Sequence, residues 1–166
     1  MDAHGIQTEN EREIVPAPSE STASKAAIAG HPIHPMLIPF PIAFLSGAWI
    51  TDLVFWKTGE AFWADFSFWL IAGGLLVGFL AALFGMIDFV GLHEARAHRA
   101  GWFHAVGNAI ALVLSAINLG IRRDDSSVTI VPWGLIVSTC VSILLVFTGW
   151  FGGELSYRHK IRVLEK

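Results

Sequence analysis

The sequence predicts an all-α integral membrane protein, a four-helix bundle built from two antiparallel transmembrane hairpins. Four long stretches contain no Asp, Glu, Lys or Arg, and they cover residues 26–51, 66–87, 100–121 and 126–153. About 20 apolar residues are enough for a helix to cross a bilayer, and only a helix satisfies its own backbone there. Hydrophobic residues make up 54% of the chain and charged residues only 15%, a balance that excludes an ordinary soluble domain.

The domain boundaries follow from where the charged and turn-forming residues lie. A polar, disordered tail over residues 1–29 is expected before the transmembrane domain of residues 30–153, and a short basic tail over 154–166 is expected after it. The four spans are predicted at about 35–56, 63–90, 101–121 and 132–151.

The distribution of Lys and Arg predicts that both termini are cytoplasmic. The two loops on the other side, 57–61 and 122–128, carry only Lys57, Arg122 and Arg123. The termini and the loop between the hairpins carry Arg12, Lys25, Arg96, Arg99, Arg158, Lys160, Arg162 and Lys166. An excess of basic residues marks the cytoplasmic side of a membrane protein. The small net charge of -3 gives no indication of a nucleic-acid partner.

Span one is entered through the sequence Gly30-His-Pro-Ile-His-Pro35, followed by two further prolines. Because proline suits the first turn of a helix but not its interior, we expect an extended segment and a helix that begins near Pro39. Such a segment would hold His31 and His34 at the inner membrane face for binding, or would be a rigid entry turn whose histidines bond only lipid headgroups. Asp52 lies about 27 Å beyond His34 along a helix and is assigned to another site or to an outer cap.

The other spans each carry small or polar residues on one helical face. On span three this face has His104, Asn108, Ala111, Ser115 and Asn118; on span two it has Gly74, Gly78, Ala81, Gly85 and Asp88; on span four it has Ser138, Ser142 and Gly149. Helix packing explains most of these residues. His104 and Asp88 are different, because an ionisable group at membrane depth is costly and indicates function.

The predicted topology collects candidate ligands at the inner face and leaves two kinds of cofactor open. The first is haem b, with His104 and either His34 or His31 as axial ligands and Asn108 and Tyr157 as hydrogen-bond donors beside them. The second is a bare divalent metal such as zinc, iron or manganese. Its predicted ligands are His34, Asp88, His104 and Glu154.

The sequence also contains a faint internal duplication of a histidine and a carboxylate. His34 precedes Asp88 by 54 residues across one hairpin, and His104 precedes Glu154 by 50 residues across the other. Two parallel hairpin repeats would place two histidine–carboxylate pairs around an axis along the membrane normal.

A third interpretation is structural and needs no cofactor. The same polar groups would then brace helix ends in an accessory membrane subunit, and the glycine-rich faces would support assembly into a homo-oligomer as readily as chemistry. The sequence assigns neither an enzymatic reaction nor catalytic residues. It favours a redox-linked membrane module that binds haem or metal, with the structural subunit as the alternative.

The motifs that carry a family resemblance are Gly30-His-Pro-Ile-His-Pro-Met-Leu37, Phe40-Pro-Ile42, Gly85-Met-Ile-Asp88, Trp102-x-His104-x-x-x-Asn108 and Gly149-Trp-Phe-Gly-Gly-Glu-Leu-Ser-Tyr-Arg-His159. They resemble a family of small predicted bacterial membrane proteins catalogued as a domain of unknown function (family 2231). The resemblance covers Gly30 to the C-terminus and implies a multi-pass protein of the bacterial inner membrane. Related domains stand beside Rieske iron–sulfur or cytochrome c-like domains, which implies a redox protein or quinone as partner. Some members have a histidine where this chain has Pro39.

Overall fold

A computed structural model of the protein describes residues 24–157, so the predicted tails lie outside the described residues except for 24–29, which include β1, and 154–157, which end α7. The elements in chain order are β1 (Ala27–Ile28), β2 (His31–Pro32), α1 (Ile33–Leu37), α2 (Pro39–Thr58), α3 (Ala61–Gly91), α4 (His93–Ala97), α5 (Arg99–Ile121), α6 (Ser126–Thr129), a π-helical turn (Ile130–Gly134) and α7 (Leu135–Tyr157).

Four stretches of helix are long and apolar enough to cross a membrane, namely Ile33–Thr58, Ala61–Gly91, Arg99–Ile121 and Ser126–Tyr157. The predicted fold class, an all-α membrane protein with four spans, is therefore confirmed. The cytoplasmic placement of both termini stays a prediction.

The fourth helical stretch differs most from its predicted bounds, since it is longer at both ends. It starts early because the Asp125 side chain accepts a hydrogen bond from the backbone N–H of Ser127 and so caps α6. Val131 then has extended backbone angles, and α7 follows from Leu135. The pair Gly152-Gly153 does not end α7, which continues to Tyr157.

The spanning helices pack in a closed ring in which α2 contacts α3 and α7, and α5 contacts the same two helices. Helices α2 and α5 therefore lie diagonally across the bundle. Glycines allow the close approaches. A methyl group at Gly78 would lie 2.8 Å from the Leu112 side chain, and one at Gly107 would overlap the Thr148 side chain.

The interior is narrow and apolar at mid-bundle, and the outer surface is apolar as well. Leu45, Ala48, Ile71 and Val141 form the central cluster. Large side chains face outward along all four helices, including Ile50, Trp69, Phe79, Val113, Val146 and Phe147. An apolar exterior on such long helices is what a bilayer solvates, so the surface agrees with the membrane assignment.

One end of the bundle contains a buried ion pair between α2 and the end of α5. The guanidinium of Arg122 donates from Nη1 to Asp52 Oδ1 at 2.6 Å and from Nη2 to Asp52 Oδ2 at 2.7 Å. Both side chains are 0% exposed. We call this end of the bundle the arginine end.

Three further polar side chains complete the arginine end, so that each of the four long helices contributes to it. Ser67 on α3 donates to Asp52 at 2.5 Å, and Ser138 on α7 donates to Asp52 at 2.6 Å. Arg122 also donates from Nε to Asn118, from Nη1 to Ser67 and from Nη2 to Ser138. These contacts with the two Asp52 bonds give every N–H group of the guanidinium an acceptor, which a charge removed from water requires.

The sequence placed Arg122 in the outer loop after the third span, and its backbone lies there, but the residue is only 1% exposed. Its backbone follows the last residue of α5, but the side chain turns back into the bundle. Gly134 makes this possible, because a methyl group there would lie 2.8 Å from Arg122 Nη2. Asp52 is part of a buried network rather than an isolated outer cap.

Removing the cation should destabilise the bundle strongly, because it leaves the Asp52 carboxylate buried and uncompensated. We expect R122A to lower the free energy of unfolding by about 3–5 kcal/mol, measured by denaturant titration in mixed micelles. Arg123, the exposed neighbour, provides the matched control. R123A should change stability by less than about 0.5 kcal/mol. Equal effects of the two substitutions would contradict a structural role for the ion pair.

Candidate functional site

The opposite end of the bundle, which we call the histidine end, begins with a short β-hairpin that leads into the first span. Strands β1 and β2 pair antiparallel, and Ala29 and Gly30 make the turn with left-handed backbone angles. His31 and Pro32 are extended and α2 begins at Pro39, as the sequence predicted, but Ile33–Leu37 between them forms the helical turn α1. The prolines permit this because they occupy the first turns of α1 and α2, where backbone N–H groups need no helical acceptor.

His34 lies on α1 and is anchored to α3. Its Nδ1 is 2.7 Å from the backbone carbonyl oxygen of Ala81. Since a carbonyl only accepts, Nδ1 carries the proton and Nε2 is the basic nitrogen of the neutral ring. The ring lies against Gly85, where a methyl group would be 2.8 Å from Nδ1. The glycine is therefore needed to seat the imidazole.

His104 on α5 has a matching environment on α7. Its Nδ1 is 2.8 Å from the carbonyl oxygen of Thr148, and a methyl group at Gly152 would lie 2.9 Å from the ring. The side chain of Asn108 donates to the His104 carbonyl at 2.7 Å and accepts from the Thr148 hydroxyl at 3.3 Å. Asn108 thus ties the backbone of α5 to α7 beside the imidazole.

The two imidazoles meet between the diagonal helices. Their ring centroids are 6.0 Å apart and the rings are nearly perpendicular, at 89°. Each ring contacts a backbone carbonyl and a glycine that lies four residues further along the same helix. For His34 these are Ala81 and Gly85 on α3, and for His104 they are Thr148 and Gly152 on α7. The two hairpins therefore repeat an arrangement of a histidine, a carbonyl acceptor and a glycine, which we call a histidine seat, whereas the sequence predicted a repeat of histidine–carboxylate pairs.

His34 and His104 lie near the start of the spanning stretches that carry them, as the second residue of Ile33–Thr58 and the sixth of Arg99–Ile121, and their rings pack beside α3 and α7. The carbonyl of Ala81 is ten residues before the end of α3, or about 15 Å along its axis, and that of Thr148 is nine residues before the end of α7, or about 14 Å. Helix α3 has 31 residues and is therefore about 46 Å long, against roughly 30 Å of hydrocarbon. If that excess length is shared equally between both ends, the level of the Ala81 carbonyl falls within the hydrocarbon thickness.

Asp88, a predicted metal ligand, lies 0% exposed at the end of the glycine face of α3. Its Oδ1 accepts from the backbone N–H groups of Lys25 and Ala26 at 2.8 and 3.0 Å. The Ser24 hydroxyl lies 2.8 and 2.9 Å from its two carboxylate oxygens. The carboxylate therefore holds the segment that leads into β1.

The remaining predicted site residues lie further out. His31 is exposed, and its Nδ1 is 3.0 Å from the Ala29 carbonyl within the β-hairpin. Tyr157 is 86% exposed. Glu154 is partly buried and lines a surface concavity of about 420 Å³ together with Trp150, Gly153 and Tyr157. The structure thus brings together His34, His104 and Asn108 from the predicted set.

The histidine end brings together two imidazole rings that could each bind a metal through one nitrogen, which is fewer ligands than a metal site made of protein side chains alone. Within residues 24–157, no group of three or more His, Cys, Asp and Glu side chains is placed to hold a metal ion. A cofactor at this end would therefore need to supply the rest of its own coordination.

Sequence reasoning missed the carbonyl partners and the ion pair at the arginine end. A backbone carbonyl has no residue-type signature, so Ala81 could not be found this way. The ion pair did leave one signal. Asp52 follows His34 by 18 residues and Arg122 follows His104 by the same number, so the two charges hold equivalent positions on α2 and α5.

Adding a methyl group to either histidine seat should destabilise the bundle. We expect G85A and G152A each to lower the free energy of unfolding by about 1–3 kcal/mol, because the imidazole must shift to relieve overpacking. Gly149 is the matched control on α7, since nothing lies within 4 Å of a methyl group there. G149A should be neutral or stabilising by up to about 1 kcal/mol. Equal losses of thermal stability in the three variants would contradict the contacts of the two imidazoles with Gly85 and Gly152.

The family assignment rests on a match that covers most of the chain. The family model described as predicted membrane protein (DUF2231) matches residues 30–165, in agreement with the resemblance noted from the motifs. No match was found among curated proteins or among solved structures. The chain, with its four membrane-spanning helices, belongs to the DUF2231 family of predicted membrane proteins.

Proposed function

We propose that His34 and His104 are the two protein ligands of a metal-centred cofactor, with haem b first, and that the protein is a redox-linked membrane module. The observation that carries this proposal is the meeting of two imidazoles, each anchored through Nδ1, at one end of a bundle of four helices that are long and apolar enough to cross a membrane. Ionisable side chains inside a membrane are costly and usually functional.

The anchoring of each ring suits ligation by the other nitrogen. Histidines that bind metals almost always donate their second N–H to a carboxylate, a backbone carbonyl or water, which fixes the tautomer and the ring orientation. His34 and His104 both have that partner, in Ala81 and Thr148. The ring nitrogen through which each histidine would then bind a metal is Nε2, on the side of the ring away from Nδ1.

The spacing of the rings agrees with one metal ion between them. Two metal–nitrogen bonds of about 2 Å each, with the radius of each imidazole added, amount to roughly 6 Å between ring centroids. The centroids of His34 and His104 are 6.0 Å apart.

The number of ligands favours haem over a bare ion. Structural zinc takes four protein ligands and catalytic zinc three, whereas a haem brings four nitrogens and needs only axial ligands from the protein. Two imidazoles from facing helices meet that need, and helical bundles hold cofactors with side chains of this kind. Asn108 would keep the His104 backbone in place.

Haem would supply one-electron transfer, and the protein would set its position in the membrane. A quinone in the bilayer or a redox protein at the surface would then exchange electrons with it. We place the protein in the bacterial inner membrane, with the histidine end on the cytoplasmic side that the basic residues indicate.

The alternative is an accessory subunit in which the histidines only brace the bundle. It is favoured by the packing, since both rings are hydrogen-bonded to backbone and seated on glycines. Two surface concavities, of about 330 and 420 Å³, lie elsewhere, and neither is lined by His34 or His104. A planar cofactor would have to occupy space between the helices that carry the rings.

The test is the visible spectrum of the protein purified from cells with ample haem, oxidised and then reduced with dithionite, with metal analysis of the same sample. We expect a Soret band that sharpens on reduction, and we expect H34A and H104A each to weaken haem retention at least tenfold. H93A is the matched control, because His93 is exposed on α4. It should leave the spectrum unchanged.

Other outcomes separate the alternatives. A colourless protein with equimolar zinc, iron or manganese would exclude haem and leave a bare metal at the pair. A colourless, metal-free protein would overturn the cofactor proposal and favour the bracing role.

A further inference from the structure

We infer that Asp88 is a positioning residue for His34, acting through the N-terminal strap, residues 24–32. This rests on the proposed ligand role of His34. Asp88 would hold the strap against α3, and the strap would hold the helical turn that carries the imidazole.

The contact between Asp88 and the strap is a concentrated set of hydrogen bonds. Two consecutive backbone N–H groups, of Lys25 and Ala26, donate to Oδ1, and the Ser24 hydroxyl donates to the same carboxylate. Hydrogen bonds to an ionised acceptor are roughly twice as strong as those between neutral groups. The Lys25 stem also packs beside Gly91, where a methyl group would lie 2.8 Å from its Cγ.

The strap transmits this contact to His34 over a short path. The carbonyl of Ala26 accepts from the backbone N–H of Ile33 at 2.9 Å, and Ile33 is the first residue of α1. The antiparallel pairing of β1 with β2 holds the intervening residues as a tight hairpin. His34 follows Ile33 directly, so a displacement of the strap from α3 would move its backbone.

The second hairpin has an apolar contact at the equivalent place. Gly85 corresponds to Gly152 in the two histidine seats, and three residues further along these helices stand Asp88 and Leu155. Leu155 packs with Leu92 and Ala95 beneath the loop that leads to His104. The segment before His104 is thus held by burial of apolar surface, and the segment before His34 by a carboxylate. The position of His34 should therefore depend on Asp88, while the position of His104 should not.

The test measures the two histidines separately in the full chain. Carbethoxylation by diethyl pyrocarbonate, quantified by mass spectrometry in the cofactor-free protein, reports the exposure of each imidazole. We expect D88A to raise the modification rate of His34 about tenfold or more, as one charge-assisted hydrogen bond is worth roughly that factor in an equilibrium. The rate at His104 should stay within twofold. D88N, which keeps shape and one acceptor oxygen, should give a smaller increase and guards against misfolding of D88A.

The matched control is D65N, which makes the same chemical change at an exposed position near the other end of α3. It should alter neither histidine. No change at His34 in D88A and D88N, or an equal rise at His34 and His104, would overturn the positioning role. A rise at His34 alone supports it even if the purified protein binds no haem, so failure of the proposed function is seen separately in the wild-type spectrum.

In the haem-loaded protein, a second readout addresses ligation itself. D88A and D88N should convert a low-spin spectrum with two histidine ligands toward a high-spin spectrum with one, while haem stays bound through His104. General destabilisation would instead release haem without that conversion, and this result would overturn the inference.

Discussion

The buried pair of Asp52 and Arg122 is the constraint on which the other contacts of the bundle depend. A guanidinium and a carboxylate that are both 0% exposed must keep their bidentate geometry, because either charge alone would be severely penalised in this setting. Ser67 and Ser138 bring α3 and α7 into the same network. The relative heights of all four helices are thereby fixed. Since Asp52 and Arg122 each lie 18 residues beyond a histidine, fixing them also brings His34 and His104 to one level at the other end.

The two hairpins hold their histidines in the same way but carry chemically different residues at other equivalent positions. Both provide a histidine, a carbonyl acceptor and a glycine that seats the ring. At the arginine end, equivalent positions carry opposite charges, so the hairpins attract each other. At the histidine end, equivalent positions carry Asp88 and Leu155, so a carboxylate contacts the segment before His34 where an apolar side chain contacts the segment before His104. Because the two histidines have different supports, one of them can respond to changes that leave the other in place.

The sequence predicted the fold class because a helix that crosses the hydrocarbon of a bilayer needs a long stretch without charged residues. It also predicted that His34, His104 and Asn108 share an end, since helix direction and 3.6-residue periodicity determine this. It failed at Arg122, because a charged residue next to a loop is assigned to solvent unless its partner is known. The sequence did not predict the helical turn α1, because the same prolines are compatible with an extended backbone and with the first turn of a helix. The hydrogen bonds of the histidines to Ala81 and Thr148 depend on tertiary contacts with backbone atoms.

The measurement that tests the site most directly is nitrogen NMR of the histidine rings in ¹⁵N-labelled protein in bilayers, with H34Q and H104Q used for assignment. It observes the tautomers, which the hydrogen bonds determine and on which any ligand role depends. The structure predicts that His34 and His104 both carry a proton on Nδ1, which in a neutral ring is the less common tautomer in water. Rings protonated at Nε2 would contradict the hydrogen bonds to Ala81 and Thr148 and the proposal built on them.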